Sequence, residues 1–325
     1  MNHENRMRKC LAGEPIDRVP VSLWRHFPVE DQSPETLAQS VVSFQQTYDF
    51  DFVKVTPSSS FCVKDWGALD KWQGNPEGSC EYVSFPVVEP EDWLKLKPLS
   101  PFSGALADQL HCLRLIKQNL PQGTPIIQTI FNPLAQAKNL VGKSNLATHL
   151  RSYPDALKAA LKVITATTLD FIEQSKKMGI AGIFFAIQHA KADQLSPSEY
   201  DEFGIAFDLE VLESTRDLWL NIAHLHGSGV YFGKVSQYPV DILNWHDLET
   251  PPDLKTGKNL FSGTVCGGLR QWDTLVMGNP QLVKQEALEA IAKTNGTRFV
   301  LGTGCVLPIT APHSNIMAAR QAVEH

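Results

Sequence analysis

The strongest constraint on the fold is the alternation, along the whole chain, of short apolar runs with longer helical patterns. Most of these runs are nearly continuously apolar, which is typical of strands buried on both faces of a parallel sheet. Runs rich in β-branched or aromatic residues predict eight strands, at Val19–Trp24, Phe50–Val55, Thr124–Phe131, Ile180–Ile187, Leu220–His226, Val240–Trp245, Leu260–Cys266 and Arg298–Leu301.

Helical patterns lie between these runs, and several open with a capping residue and a proline, which suits the first turn of a helix. Clear patterns predict helices at Ser33–Tyr48, Tyr153–Met178, Ser196–Trp219, Asn279–Asn295 and Ala311–Ala322. Strand–helix alternation indicates an α/β fold. Eight units over about 300 residues fit a (β/α)8 TIM barrel better than an open sheet, and no GxGxxG motif follows the first strand. We expect residues 1–325 to form one domain.

One stretch, Phe61–Ser103, departs from the alternation. It is rich in proline and contains Trp66, Trp72 and Trp93. We interpret it as a long β2–α2 insertion, between the second strand and the second helix of the barrel. Its aromatic content favours an ordered segment that forms a lid over the barrel mouth or a contact in a homodimer.

The composition excludes several classes of protein. A net charge of −6 and a pI near 5.9 provide no overall basic field for nucleic acid. No apolar run approaches the roughly 18 residues of a membrane span, and the N-terminal segment has no apolar core of a secretory signal. The six cysteines form no CxxC pair. We therefore expect reduced thiols in a cytoplasmic protein that binds neither nucleic acid nor membrane.

Side chains with catalytic chemistry gather where the predicted strands end, which is where barrel enzymes build their active sites. His224 and His226 are one residue apart on a strand, so their side chains leave the same face. With Cys305, in a Gly-Thr-Gly-Cys turn after the last strand, they form a His2Cys set that leaves one position open on a catalytic zinc. The alternative is a hydrogen-bonded core histidine beside a packed thiol.

Other residues at the strand ends suit acid–base chemistry or substrate binding. His246 precedes Asp247, which suggests an acid–base pair or a surface pair at a helix start. Arg25 can hold a carboxylate or phosphate with two hydrogen bonds, although an ordinary salt bridge explains it equally well. We assign catalytic roles to His246, Arg25 and Gln188, and substrate binding to Arg25, His26, Asn132, His189 and Asn244.

At these residues the chain resembles the uroporphyrinogen decarboxylase superfamily. Residues 13–21 (GEPIDRVPV) are similar to the family's entry into strand one, and residues 48–54 (YDFDFVK) look like its second strand. Residues 304–308 (GCVLP), with Pro312 and Asn315, look like its last strand and helix. The resemblance covers nearly the whole chain and implies a (β/α)8 barrel.

The decarboxylase branch of this superfamily uses no metal. It binds the tetrapyrrole through two arginines after strand one and an aspartate after strand two. Arg25 matches the first arginine, but the second is missing, and residues 56–60 (TPSSS) lack the aspartate. The family's tail histidine aligns with Cys305. These departures argue against decarboxylation of a polyanionic tetrapyrrole.

A second branch transfers methyl groups from cobalamin and carries a His-x-Cys and a distant Cys on zinc, which activates a thiol. This chain has His224, His226 and Cys305 at the matching places, with His226 where the branch has Cys. No DxHxxG corrinoid motif is present, so a corrinoid would come on a partner protein. The resemblance thus implies a zinc-dependent methyl (one-carbon) transferase of small-molecule substrates. The alternatives are a metal-free uroporphyrinogen decarboxylase-like carboxy-lyase in tetrapyrrole metabolism and a non-enzymatic tetrapyrrole- or corrinoid-binding protein.

Overall fold

Seven strands form one parallel sheet, and their order across the sheet is their order along the chain. The computed structural model describes residues 1–324, so His325, the last residue of the predicted domain, lies outside the described residues. Counting those outside this sheet, residues 1–324 form nine strands: β1 (Val53–Val55), β2 (Leu69–Lys71), β3 (Glu81–Ser84), β4 (Ile126–Phe131), β5 (Gly182–Ile187), β6 (Ile222–Leu225), β7 (Ile242–Trp245), β8 (Thr264–Leu269) and β9 (Phe299–Thr303). The parallel sheet consists of β1 and β4 to β9. β2 and β3 pair with each other in a separate antiparallel hairpin.

Helices fill the connections between the parallel strands. The α-helices are α1 (His3–Ala12), α2 (Pro34–Tyr48), α3 (Gly104–Asn119), α4 (Pro133–Val141), α5 (Lys143–Ser152), α6 (Pro154–Lys177), α7 (Pro197–Tyr200), α8 (Ala206–Glu213), α9 (Phe232–Val235), α10 (Leu254–Leu260), α11 (Pro280–Thr294) and α12 (His313–Gln321). The helix predicted at Ser196–Trp219 corresponds to α7, a π-helical turn and α8, and ends early. There Ser214 and Thr215 turn their hydroxyls back onto helix carbonyls, which competes with continuation of the helix.

Every residue of the seven sheet strands is buried, as the apolar runs predicted for a sheet covered on both faces. The register pairs His224 with Asn244 and Asn244 with Cys266. Parallel strands in this register deliver their last residues to one edge of the sheet. None of the helices within residues 1–324 has the length and hydrophobicity needed to cross a membrane.

The first predicted strand, Val19–Trp24, forms isolated bridges rather than a regular strand. The Ser22 amide donates to the Leu301 carbonyl over 3.0 Å, and the Val21 carbonyl accepts from the Asp51 amide over 2.9 Å. The segment therefore contacts β9 on one side and the residues before β1 on the other. Pro20 has no amide hydrogen to donate, which interrupts a continuous ladder at this point.

The predicted insertion, Phe61–Ser103, consists of short 3-10 turns and the β2–β3 hairpin. Its tryptophans hold it in place. Trp93 is almost fully buried and donates its indole N–H to Nδ1 of His149 over 3.0 Å. Trp66 and Trp72 donate theirs to backbone carbonyls of the same segment. The segment is thus ordered by its aromatic residues, as its composition predicted.

A buried carboxylate, Asp51, ties the N-terminal helix to the start of the sheet. It accepts hydrogen bonds from Arg6 over 2.6 Å, from Arg18 over 2.7 Å and from the Val21 amide over 2.8 Å. Burial alone would raise the pKa of Asp51, but hydrogen bonds from His3 and Arg18 and the Arg18 charge outweigh it and lower the pKa to about 2. The contacts stabilise the ionised form and fix residues 18–21 beside β1.

The variant Asp51→Ala tests this anchor. It leaves the Arg18 guanidinium without its carboxylate and the Val21 amide unpaired, so we expect the free energy of unfolding to fall by about 3–5 kcal/mol. The folded pKa lies below the ~3.9 of an unfolded aspartate, so this stabilisation is present at neutral pH and is lost as the pH falls from about 4 through 2. Urea unfolding at several pH values measures both effects. As a control, Asp217→Ala removes an exposed ion pair with Lys176, and a similar loss there would contradict the prediction.

Candidate functional site

The carboxyl ends of the parallel strands surround a cavity of about 330 Å³. Its wall combines side chains from β1, β4, β5 and β6 with residues 56–59 and with the loop and hairpin of residues 77–82. The segment predicted as a lid therefore contributes one side of the cavity. Gly78 packs so closely on His26 that a Cβ would lie 2.7 Å from the His26 Cβ, which keeps the loop against the strand ends.

Four potential metal ligands converge beside this cavity: His224, His226, His246 and Cys305. One ligand atom from each lies within 4.8 Å of those of the other three. The Cys305 Sγ is 3.6 Å from Nε2 of His224 and 3.6 Å from Nδ1 of His226. The structure thus brings together the three residues that the sequence suggests for zinc, and adds His246 as a fourth.

Asn244 fixes the orientation of His224. Its Nδ2 donates to the carbonyls of Cys266 and Thr303, over 3.0 and 2.9 Å, so its Oδ1 is left as the acceptor facing His224. That oxygen is 2.7 Å from Nδ1 of His224. The proton of His224 therefore resides on Nδ1, and the lone pair of Nε2 points toward Cys305. This carbonyl-type support is the usual way in which a metal-binding imidazole is held in one tautomer.

His246 shows a similar arrangement with a carboxylate. Its Nδ1 lies 3.1 Å from Glu249 Oε2. Its Nε2 is buried and has no hydrogen-bond partner among the described residues. A buried imidazole nitrogen without a partner is costly, unless a ligand occupies the space that it faces. The donor set therefore fits a metal ion at the cluster.

The electrostatics of the cluster favour neutral nitrogen donors. Burial, reinforced by neighbouring imidazoles, lowers the pKa of His224 well below its ordinary value, and burial lowers that of His226 to about 4. Both rings are therefore neutral at physiological pH and offer lone pairs. Burial raises the pKa of the Cys305 thiol to about 12. A cation is what would convert this thiol to a thiolate, because metal ligation requires the deprotonated form.

Three of the residues predicted to act on a substrate line the cavity: Gln188, His189 and His26. Nδ1 of His189 and Nδ1 of His26 are buried without hydrogen-bond partners in the described part of the chain. Burial lowers the pKa of both rings to about 3. These neutral rings present unsatisfied hydrogen-bonding atoms in a cavity wall, as binding groups for a polar ligand do.

Arg25 is predicted to clamp substrate, but its guanidinium turns away from the cavity. Its Nε donates to the His26 carbonyl over 3.3 Å, and its Nη1 donates to the Ile309 carbonyl over 3.4 Å. The group also lies over the Phe27 ring, 5.2 Å from the centroid. Arg25 thus joins the end of the first segment to the chain after β9, in a pairing that includes its backbone bridge to Leu307.

Asn132 is also predicted to bind substrate, yet it lies outside the cavity wall. Its Oδ1 caps α4 by accepting from the Ala135 amide, and its Nδ2 donates to Asp208 over 3.0 Å. The Asp208 carboxylate also accepts from Tyr200 and Tyr238, over 2.7 and 2.8 Å. Burial raises the pKa of Asp208 to about 6, against these hydrogen bonds. Asn132 therefore satisfies a helix end and a buried acid.

Four lysines on the cavity wall are not anticipated by the strand-end argument: Lys54, Lys138, Lys143 and Lys191. Lys138 and Lys143 belong to α4 and α5, and no sequence pattern aims them inward. Lys54 had a visible signal, since it interrupts an apolar run predicted to be buried on both faces. Within residues 1–324, Glu77 is the one carboxylate that lines the cavity. The four lysines therefore give the cavity wall a predominantly positive charge.

Comparisons with known proteins are consistent across sequence and structure. A family model described as uroporphyrinogen decarboxylase (URO-D) matches residues 2–325. Uroporphyrinogen decarboxylase 2, chloroplastic, of Arabidopsis thaliana is 18% identical and is matched over 95% of this chain and 82% of its own length. A methylcobamide:CoM methyltransferase (MtbA) of Methanosarcina acetivorans is also 18% identical, over 96% of this chain and 95% of its own.

Solved structures show the same fold. A methyltransferase from Methanosarcina mazei superposes with a TM-score of 0.87 at 20% identity, over 99% of this chain and 98% of that one. A B12-independent methionine synthase from Shewanella sp. W3-18-1 superposes with a TM-score of 0.58 at 14% identity, over 94% of each chain. At these identities the similarity concerns the fold alone.

The placement of Asn132 is testable by substitution. Asn132→Ala removes a helix cap, worth about 0.5–2 kcal/mol, and a hydrogen bond to a buried acid, worth about 1–3 kcal/mol. We expect the free energy of unfolding in urea to fall by about 2–4 kcal/mol. Asn119→Ala, at an exposed helix end, is the control and should change it by less than about 0.5 kcal/mol. Equal stability of the two variants would rule out the structural role.

Proposed function

The chain belongs to the uroporphyrinogen decarboxylase family, and from this premise we propose that it is a zinc-dependent methyl (one-carbon) transferase that acts with a separate corrinoid protein. The observation that carries the proposal is the convergence of His224, His226 and Cys305 on one point, with a fourth nitrogen from His246 beside them. Neutral imidazoles and a thiol are a characteristic zinc ligand set.

In this proposal His224, His226 and Cys305 hold the metal, and Asn244 holds His224 in the tautomer that binds it. A zinc ion bound there would lower the pKa of a coordinated substrate thiol, so that its sulfur attacks a methyl group at neutral pH. His246 is the residue assigned to accept the thiol proton, on its unpartnered Nε2. Glu249, in contact with Nδ1, would stabilise the imidazolium that forms.

The remaining cavity residues would bind and shield the substrate. Gln188, His189 and His26 line the wall and offer polar atoms for orientation. Gly78 and its neighbours in the hairpin segment would exclude water, which strengthens electrostatic interactions at the reacting atoms. Arg25, whose guanidinium bonds backbone carbonyls, is assigned to hold the first segment in place.

The proposal includes a closed (β/α)8 barrel, with residues 19–24 as its first strand and residues 61–103 as an insertion. Backbone hydrogen bonds of Ser22 and Val21 to β9 and to Asp51 support closure between the two edges of the sheet. A closed barrel brings the end of β6 and the turn after β9 to one axis, as the donor cluster requires.

A separate corrinoid protein is proposed because the sequence contains no DxHxxG motif for binding its own corrinoid. The name of one relative, a methylcobamide:CoM methyltransferase, supports a methylated corrinoid as donor. The methyl group would pass from cobalt to the substrate sulfur, leaving the electron pair of the cobalt–carbon bond on cobalt.

A metal-free carboxy-lyase acting on a tetrapyrrole is the second candidate, and the positive cavity wall favours it. The volume does not, because about 330 Å³ is at the lower end of the roughly 300–1,000 Å³ that small-molecule sites occupy. Incubation with uroporphyrinogen and chromatography of the products decides between them. A partly decarboxylated product would establish the lyase and remove the methyltransferase from first place. A visible absorption band that copurifies with an inactive protein would instead indicate a tetrapyrrole- or corrinoid-binding protein.

Zinc content tests the leading proposal. We expect about one zinc per chain after dialysis, and a fall in affinity of roughly 100-fold or more in Cys305→Ser and His226→Ala. Asn244→Ala removes only the group that orients His224, so this variant should lose about 10–100-fold in zinc affinity. Metal analysis and competition with a chromogenic chelator measure these values, and circular dichroism checks that each variant is folded.

Cys80→Ser is the matched control, since Cys80 lines the cavity outside the donor cluster. It should bind zinc as the unsubstituted protein does. Absence of zinc from the unsubstituted protein, or equal affinities for Cys80→Ser and Cys305→Ser, would refute the metal site. For the reaction, loss of methylcobalamin absorbance in the presence of a thiol should require both zinc and Cys305.

A further inference from the structure

A buried lysine on β1, Lys54, has no carboxylate partner within residues 1–324. Its side chain is 7% exposed and lines the cavity wall, and both of its neighbours along the strand are buried valines. Burial lowers the pKa of Lys54 to about 7, partly opposed by Cys305. Removing an ammonium from water in this way is costly unless an anion or a set of acceptors replaces the water.

The contacts of Lys54 do not supply that replacement. Its Nζ donates to the hydroxyl of Thr56 over 3.1 Å and lies 4.4 Å from the Phe184 ring centroid. The ring faces of Phe184 and Trp24 offer weak cation–π attraction. Lys54 forms no ion pair with a carboxylate anywhere in residues 1–324. Its charge is therefore available to a ligand in the cavity.

Two further hydrogen-bonding groups on this part of the wall are unsatisfied. Nε1 of Trp24 and Nδ1 of His26 are both buried, and neither has a hydrogen-bond partner within residues 1–324. The indole N–H can only donate, and Trp24 is 2% exposed. Both residues line the cavity with Lys54. The lysine has one acceptor, the Thr56 hydroxyl, and among the described residues the indole N–H and Nδ1 of His26 have no partner. An oxyanion would satisfy this combination of groups.

The part of the cavity wall formed by Lys54, Trp24 and His26 is distinct from the part that carries the other lysines. Burial is the main cause of the lowered pKa of all four imidazoles; the charges of Lys138 and Lys191 add to it at His189 and His226, and that of Lys54 adds to it at His26 and His224. The Phe184 ring stacks on His224 with centroids 5.3 Å apart, so one phenyl ring separates the Lys54 ammonium from the donor cluster. Lys54 and the cluster residues His224, His226 and Cys305 line the same cavity, so a small molecule in it can reach both.

We propose that Lys54 and Trp24, with His26, form a subsite for the acidic group of a small organic anion whose reactive atom lies at the His224–His226–Cys305 cluster. The placement of the reactive atom at the cluster rests on the proposed function. The binding of the acidic group depends only on the residues of the cavity wall. It assigns Lys54 as a specificity-determining residue, which selects an acidic substrate over its neutral analogue.

Calorimetric titration of the zinc-loaded protein with 3-mercaptopropionate and with neutral 3-mercaptopropanamide tests this assignment. The acid should bind at least roughly tenfold more tightly than the amide, as expected for a charge-assisted contact. Lys54→Met should abolish that difference, because it weakens the binding of the acid and leaves the binding of the amide unchanged. Lys284→Met, at an exposed position of α11, should retain the full preference. If Lys54→Met does not fold, Lys54→Gln and Trp24→Phe test the same subsite.

Equal binding of acid and amide to the unsubstituted protein, or an undiminished preference in a folded Lys54 variant, would overturn the subsite. So would a Lys54 variant that loses zinc affinity while keeping the preference, since Lys54 would then serve only the thiolate. Repeating the titration with propionate and propionamide on zinc-free protein separates the two proposals. A preference without zinc binding refutes the metal site alone, and zinc binding without a preference refutes the subsite alone.

Discussion

The geometry of the site depends on the carboxamide of Asn244. Its two ends bond His224 on β6 and the carbonyls of Cys266 and Thr303 on β8 and β9. One side chain on β7 therefore links β6, β8 and β9 beside His224. Because the amide orientation is set by two carbonyls, the histidine proton has only one place to reside. A buried network that is fully satisfied in this way specifies a single arrangement.

The parts of the fold that the sequence predicts well are those governed by periodicity. Apolar runs locate the seven sheet strands. The carboxyl ends of β6, β7 and β9 supply the cluster residues, since parallel strands share their carboxyl edge. Local pattern fails where a side chain has a choice of direction. Arg25 and Asn132 follow predicted strands, but one turns to backbone carbonyls and the other caps the helix that begins beside it. The cap had a signal, since Asn132 precedes Pro133 in the pattern that opens other helices of this chain, whereas no pattern in the sequence indicates the direction of Arg25.

In the proposed zinc site, the resemblance implies that His226 stands where the methyltransferase branch has a cysteine, and this difference would change the chemistry of the metal. Two neutral imidazoles and one thiolate donate less charge than one imidazole and two thiolates, so the cation keeps more of its Lewis acidity. A more acidic centre lowers the pKa of a bound thiol further but leaves that thiolate a weaker nucleophile. The nearby ammonium of Lys54 would also lower the pKa of a bound thiol. It would therefore favour an acceptor that binds as an anion.

The unsatisfied atoms at this site also connect stability with ligand binding. Four buried nitrogens have no hydrogen-bond partner in the part of the chain that the structure describes: Trp24 Nε1, His26 Nδ1, His189 Nδ1 and His246 Nε2. Each belongs to the cavity wall or the donor cluster. Each such atom costs about 1–3 kcal/mol when no group satisfies it. A metal and an anion that satisfied them, as proposed, would bind the folded chain and not the unfolded one, and would raise its stability by mass action. The same groups would therefore set the free energy available for selecting a ligand.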